Sequence, residues 1–303
     1  MLLMGIALVM SLFSAAISPR GLSREWGADW LRELSVQIMG AGLSFAGFEL
    51  IAGRRLREDQ SRNERDSLLR EARQGNVEAL HKLRKQGGLS MQDFQKAKLD
   101  GINLDGANLQ ASVFDRASLR GAFLEEATLQ NASLEHTNLE NAHMRGANLE
   151  GASLSWSNMP GVGLVRAVLS GATLYETNLQ SANMRWVVLD RARLEGADLR
   201  NADMHAASLL DADLHGSNLA GARLARASLQ GAQLQECDLT GVSLLGANLR
   251  GANLLWANLL DADLSRIECD EHTTLPDGKK WTPDADLNRY CDPMHRKFWR
   301  PGK

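Results

Sequence analysis

The chain has 303 residues, a formal net charge of −3 and only 5% aromatic side chains. Near-neutral charge excludes a polycationic nucleic-acid binder, and so few rings exclude an aromatic-rich core, leaving Leu and Ala to supply the burial. Three cysteines, Cys237, Cys269 and Cys291, are too sparse and odd in number for a disulfide framework, which fits a reducing compartment.

Residues 1–17 carry no charged side chain, and that length is the short limit for a membrane span. A cleaved secretory signal is the competing reading: the basic leader is absent, while Ser14-Ala15-Ala16 offers a passable cleavage site. A second apolar run, residues 34–53, is again one span long; its only charge, Glu49, lies one turn from Arg54 and Arg55. Small residues recur on both segments (Ala7, Ser11 and Ala15; Gly40, Ser44 and Gly47), allowing close helix approach in lipid. The expectation is a membrane hairpin over 1–53, in contact with lipid, with self-association through the second stripe left open. Trp26 and Trp30 stand where an interfacial aromatic belt belongs. Arg54, Arg55, Arg57, Arg62 and Arg65 outnumber Arg20, Arg24 and Arg32 of the intervening loop, which puts the carboxyl-terminal side in the cytoplasm. Residues 54–96 are charged and helix-prone, ending in the pair Gly87-Gly88, and read as a helical stalk and amino-terminal cap.

From residue 97 to residue 264 the pattern changes. Positions 99, 104, 109 and every fifth thereafter are Leu, Met or Phe, and the residue two before is small in almost every unit. Neither a helix nor a strand has a five-residue period, so each unit must be one stage of a repeat architecture. On extended backbone, residues two apart share a face, which turns the small residue and the Leu inward and the residue between them outward. The other two positions, often containing Gly (Gly101, Gly106, Gly121, Gly146, Gly151), turn the chain. If four sides close the coil, a turn takes about 20 residues and coils spaced ~4.8 Å apart make a rod roughly 40 Å long.

These units, as in "GANLRGANLLWANLLDADL" at 246–264, resemble the A-(D/N)-L-x-x motif of the pentapeptide-repeat family. The resemblance implies an all-β solenoid, a right-handed quadrilateral β-helix, here preceded by two expected transmembrane helices and the stalk. Pro160 falls at a corner, where local loosening of the ladder with the frame left unbroken is expected.

With 20 residues per coil, Asn138, Asn158, Asn178, Asp198, Asn218, Asp238 and Asn258 form one outward column, which reads as a structural hydrogen-bonding ladder. Arg166 falls beneath Trp186 at a corner and Val168 beneath Val188 on the adjoining face, a cation–π pair beside a small apolar patch and the candidate partner-binding site. Leu255 and Trp256 are expected to be covered by the tail. That tail, 265–303, loses the five-residue beat, concentrates Trp281, Tyr290, Phe298 and Trp299, and reads as a carboxyl-terminal cap. Within it Cys269-x2-His272 and Cys291-x3-His295 have zinc-ligand spacing.

No phosphate loop, nucleophile elbow or metalloprotease helix appears, so no enzyme activity and no cofactor are expected. The reading is a membrane-tethered protein-interaction scaffold or regulator, at the cell membrane with its repeats in the cytoplasm, docking a protein rather than nucleic acid. The alternative, implied by the family, is a DNA-mimicking inhibitor or protector of a type II topoisomerase. Against it, the repeats mix 12 basic with 19 acidic side chains.

Overall fold

The computed structural model describes residues 94–301 continuously and, before them, single helical positions at 64, 67, 68, 70, 71, 78 and 82. Both expected spans, 1–17 and 34–53, lie outside the described residues; among the described residues no helix is long and apolar enough to cross a membrane. The chain divides into two compact units, Met1–Glu64 and Arg65–Lys303, and the solenoid belongs to the second.

The five-residue beat becomes a coil with four sides. Each outward residue pairs in parallel with the residue 20 later, from Lys98↔Ser118 through to Asn248↔Glu268, so one coil takes four units. The small residue and the Leu flanking each bridge point to the axis; Ala147, Leu149, Ala152 and Leu154 are fully buried. Phe94 begins the stack, its ring lying 4.9 Å from that of Phe114 and nearly parallel to it.

The backbone donors account for the rest of the motif. In the unit around Leu119, the N–H of Leu119 bonds to Asn138 O, that of Gly121 to Glu140 O, that of Ser118 back to Ala97 O, and that of Ala122 closes the corner on Leu119 O. One donor per unit is left over, the first corner residue. Where the outward residue is Asn or Asp, its Oδ1 accepts that N–H two residues on, as Asn218 does for Ala220 (3.0 Å) and Asp238 for Thr240 (3.1 Å). At Ser133 and Ser208 an Asp from the coil below substitutes: Asp115 accepts from both Ser133 Oγ (2.6 Å) and Glu135 N (3.1 Å), and Asp190 from Ser208 Oγ and Leu210 N. The middle letter of the motif is therefore a cap for an otherwise bare donor.

That slot also explains Pro160: the frame is unbroken, as expected, and the expected local loosening is absent as well. Proline has no N–H, and it sits at the one position whose N–H the ladder does not use. Its carbonyl still accepts from Asn141 N at 3.0 Å, and the bridges on both sides, Asn138↔Asn158 and His143↔Gly163, persist.

The second corner residue has φ between 48° and 70° at every such position from 96 to 266, 21 of them non-glycine. This left-handed conformation costs a non-glycine residue about 1 kcal/mol or more, offset by the closed ladder and the buried Leu beside it. Corner Asn and Asp side chains impose a second constraint, because they lie over the next coil. A Cβ on Gly221 would stand 2.6 Å from Asn201 Oδ1, whereas one on Gly171 would meet nothing within 4 Å.

One inner column carries hydroxyls. Thr137 Oγ1 donates to Phe114 O and Thr177 Oγ1 to Leu154 O, both at 2.9 Å, and Cys237 Sγ donates to Leu214 O at 3.0 Å. Ser157, in the same column, is buried with its Oγ unpartnered.

At the far end Asn253 pairs with Thr274, which turns back in an antiparallel bridge to Lys280 around Asp277-Gly278. A short helix, α1 (Asn288–Cys291), buries Tyr290, and Leu287, Cys291 and Trp299 pack on the exposed end of the core. The tail covers Leu255 only in part, with Gly278 against its Cδ1, and it does not cover Trp256, which is 55% exposed. Trp256 occupies a left-handed corner position (φ 62°), which sends its side chain outward while its N–H reaches Pro276 O.

Candidate partner-binding corner

Trp186 is a left-handed corner residue with φ 56° and an indole 43% exposed. The guanidinium of Arg166, one coil below, lies 5.6 Å from its ring centre, and that of Arg185, its chain neighbour, 4.8 Å. His205 meets the ring edge-on at 6.4 Å. Arg185 also pairs with Asp203 at 3.6 Å, which fixes the cation over the ring. On the adjoining face Val168 and Val188 form a parallel bridge and are half-buried. The structure thus brings Arg166, Val168, Trp186 and Val188 onto one corner and the face beside it.

Reading columns at a spacing of 20 missed Arg185 and His205. The contact to His205 runs at a spacing of 19, which is the spacing of the corner hydrogen bond Trp186 N to His205 O. The same spacing reveals a second aromatic corner. Trp156 and Tyr175 meet edge-to-face at 5.5 Å, and His136 stacks beneath Trp156 at 5.1 Å and 10°. Carboxylates surround this cluster: Glu135 accepts from Ser153 Oγ, Glu195 is tied to Arg193 at 3.1 Å, and a hydrogen bond to Glu176 holds the Tyr175 phenol above its usual range.

The outward Asn/Asp column forms the expected ladder in part: Asn178 Nδ2 donates to Asn158 Oδ1 at 2.9 Å and Asn258 Nδ2 to Asp238 Oδ1 at 3.3 Å, while Asn178 Oδ1 and Asp238 Oδ1 cap the corner donors of Gln180 and Thr240. The four zinc candidates are not gathered. Among the described residues no group of three or more His, Cys, Asp or Glu side chains is arranged to hold a metal ion. Cys269 is packed against the core end, and burial pushes its thiol up to about 11. His272 is 76% exposed beside Glu271, Cys291 donates to Leu287 O, and His295 faces Asp286 at 3.0 Å. Their spacing in sequence resembles a zinc site, but α1 and the 274–281 hairpin direct them to different surroundings.

A four-sided parallel solenoid with a Leu-filled axis and aromatic corners defines a repeat protein that presents side chains on its outside. The chain belongs to the pentapeptide-repeat family: pentapeptide repeats match in 8 copies across residues 93–125, 124–161, 167–205, 188–226, 207–244 and 227–266, and the family fold is the right-handed quadrilateral β-helix. Among solved structures, the chain is similar to HetL, a pentapeptide-repeat protein involved in heterocyst differentiation regulation in the cyanobacterium Nostoc sp. strain PCC 7120, at 29% identity over 68% of this chain and 99% of that one, with TM-score 0.46. It is similar to Rfr23 of the cyanobacterium Cyanothece 51142 at 34% identity, covering 37% and 62% of the two chains, with TM-score 0.27. QnrB1, a plasmid-mediated fluoroquinolone resistance protein, follows at 20% identity over 59% and 78%, with TM-score 0.28. No curated protein matches the chain.

Proposed function

We propose that this protein is a non-enzymatic scaffold or regulator, tethered to the cell membrane by its amino-terminal segments, whose cytoplasmic solenoid docks a protein partner at the Trp186 corner. The observation that carries the reading is the corner itself: an exposed indole held between two guanidinium groups at 4.8 and 5.6 Å, next to a pair of outward valines. Trp and Arg dominate the energetics of protein interfaces because they bring large area at little conformational cost. Here the indole is already fixed by its neighbours, so little ordering entropy remains to be lost on docking. The axis is filled with Leu and Ala side chains, which favours action through the outer faces over action on a small substrate. The tether rests on the two apolar runs 1–17 and 34–53 and on the arginine bias that follows them.

The test is in-cell crosslinking followed by detergent purification and mass spectrometry, wild type against Trp186→Ala. A specific crosslinked protein that is lost in the variant is the expected result. Crosslinks unchanged by Trp186→Ala would remove the function from this corner. A supercoiling assay with a type II topoisomerase separates this reading from DNA mimicry, and no inhibition at micromolar protein is expected.

A further inference from the structure

We propose that the partner at the Trp186 corner is a second copy of this chain, presenting its Trp156–Tyr175 corner, so that the rods align side by side. The inference rests on reading the Trp186 corner as a docking surface and adds the identity of what docks there.

The two aromatic corners carry opposite charge. At the corner positions from 145 to 226 the charged side chains on the Trp186 side are Arg145, Arg166, Arg185 and Arg226, with no carboxylate. At those from 135 to 216 on the Trp156 side they are Glu135, Glu176 and Glu195, with no Lys or Arg. Neighbouring faces neutralise part of each set, through Asp203 on Arg185 and Arg193 on Glu195. Arg166 and Glu176, the charges nearest the two exposed indoles in their columns, have no ion-pair partner among the described residues.

Position makes the two corners complementary in space as well as in sign. They are ten residues apart in a coil of 20, hence diagonally opposite on a four-sided section. They differ in height by half a coil, about 2.4 Å. In copies related by a sideways shift with rods parallel, Arg166 of one comes level with the gap between Trp156 and Glu176 of the next. Trp186 lies half a coil above Glu176. Anchorage of every copy through its amino-terminal segments favours that shared polarity. Because a copy uses one corner for each neighbour, the contact is heterologous and gives an open row instead of a closed dimer.

The test uses the full chain in detergent, with copy number read by sedimentation velocity. Wild type is expected to associate in a concentration-dependent way, and more weakly as salt is raised. Arg166→Glu, which spoils the basic corner, and Glu176→Arg, which spoils the acidic one, are each expected to weaken association about tenfold or more. Mixed together, the two variants are expected to pair and recover association, because one junction keeps the original charge pair and the next carries the same pair with its signs exchanged. That pairing also demonstrates that both variants are folded. A monomeric wild type, single variants that associate as tightly as wild type, or a mixture that fails to pair overturns the inference. If wild type is monomeric while a Trp186-dependent crosslink to a different protein is seen in cells, the docking reading survives and only the second copy is ruled out.

Discussion

Ser157→Ala and Thr177→Val make a contrasting pair, since both residues occupy the hydroxyl column of the core one coil apart and are at most 2% exposed. Thr177 Oγ1 donates to Leu154 O at 2.9 Å, and valine preserves its shape while deleting that bond, a loss of about 1 kcal/mol. Leu154 O keeps a second donor, Ser157 N–H at 3.1 Å, so the valine leaves no carbonyl bare. Ser157 Oγ has no partner, and removing a buried unpaired hydroxyl returns roughly 1–2 kcal/mol of desolvation. Alanine already stands in this column at Ala117 and Ala197, so the coil accepts it. The two variants should therefore move in opposite directions and differ by about 2 kcal/mol, or about 1 M in urea midpoint for a slope near 2 kcal/mol/M. Equilibrium urea unfolding of the full chain in detergent, followed by far-ultraviolet circular dichroism, measures the difference, provided the slopes match. If both variants lose stability equally, Ser157 has a bonding partner and the accounting of buried donors is wrong.

Glycines at the corners should divide into two groups: Gly171→Ala is expected to cost about 1 kcal/mol for the left-handed backbone, and Gly221→Ala about 1 kcal/mol more because Asn201 must change rotamer. Asn201→Ala in the Gly221→Ala background should recover the second increment in the same unfolding assay. Acid should weaken the solenoid: hydrogen bonding to Arg200 holds Asp198 below its ordinary value, as the Gly251 N–H does for Asp270 and Ser265 for Asp263. A lowered folded-state value means stability that is full above the unfolded carboxylate range near 3.9 and lost as pH falls through the folded values, so thermal midpoints should hold at neutral pH and drop below about pH 4. Thiol labelling at neutral pH should be slow at Cys237 and Cys269, each pushed up to about 11 by burial, and should become fast at both once the chain is unfolded in urea.

What could be read in advance was whatever repeats locally. Leu149 and Ala147 announce the core because every unit needs the same two inward residues, and a period of five leaves no other solution. The left-handed corners were only half legible: Gly106 signals such a backbone, but Trp186, Arg166 and Glu176 adopt it with no chemical mark of their own, held by the ladder on either side. The role of Asn218 as a cap could have been derived by counting donors, since four of each unit's five N–H groups have ladder partners and one does not. The Trp156–Tyr175 contact was hidden because stacking was sought at a spacing of 20, while corner side chains also meet at 19. The tail was least legible. Once the beat ends after Leu264, nothing in Cys269 or His295 reveals whether a turn directs them toward each other, and the structure directs them apart.

The uniform coil makes length and direction interchangeable. Deleting any one five-residue unit would keep Leu above Leu on the axis, yet it would carry all later side chains a quarter-turn about the rod. With residues 201–205 removed, Asn218 would stand over Arg193 instead of Asp198, and the Asn/Asp column would break and resume on the neighbouring face. An insertion of five would rotate the surface the other way. A change in chain length is thus read out in this molecule as an angle, and only steps of 20 residues return the outside to the direction it faced before.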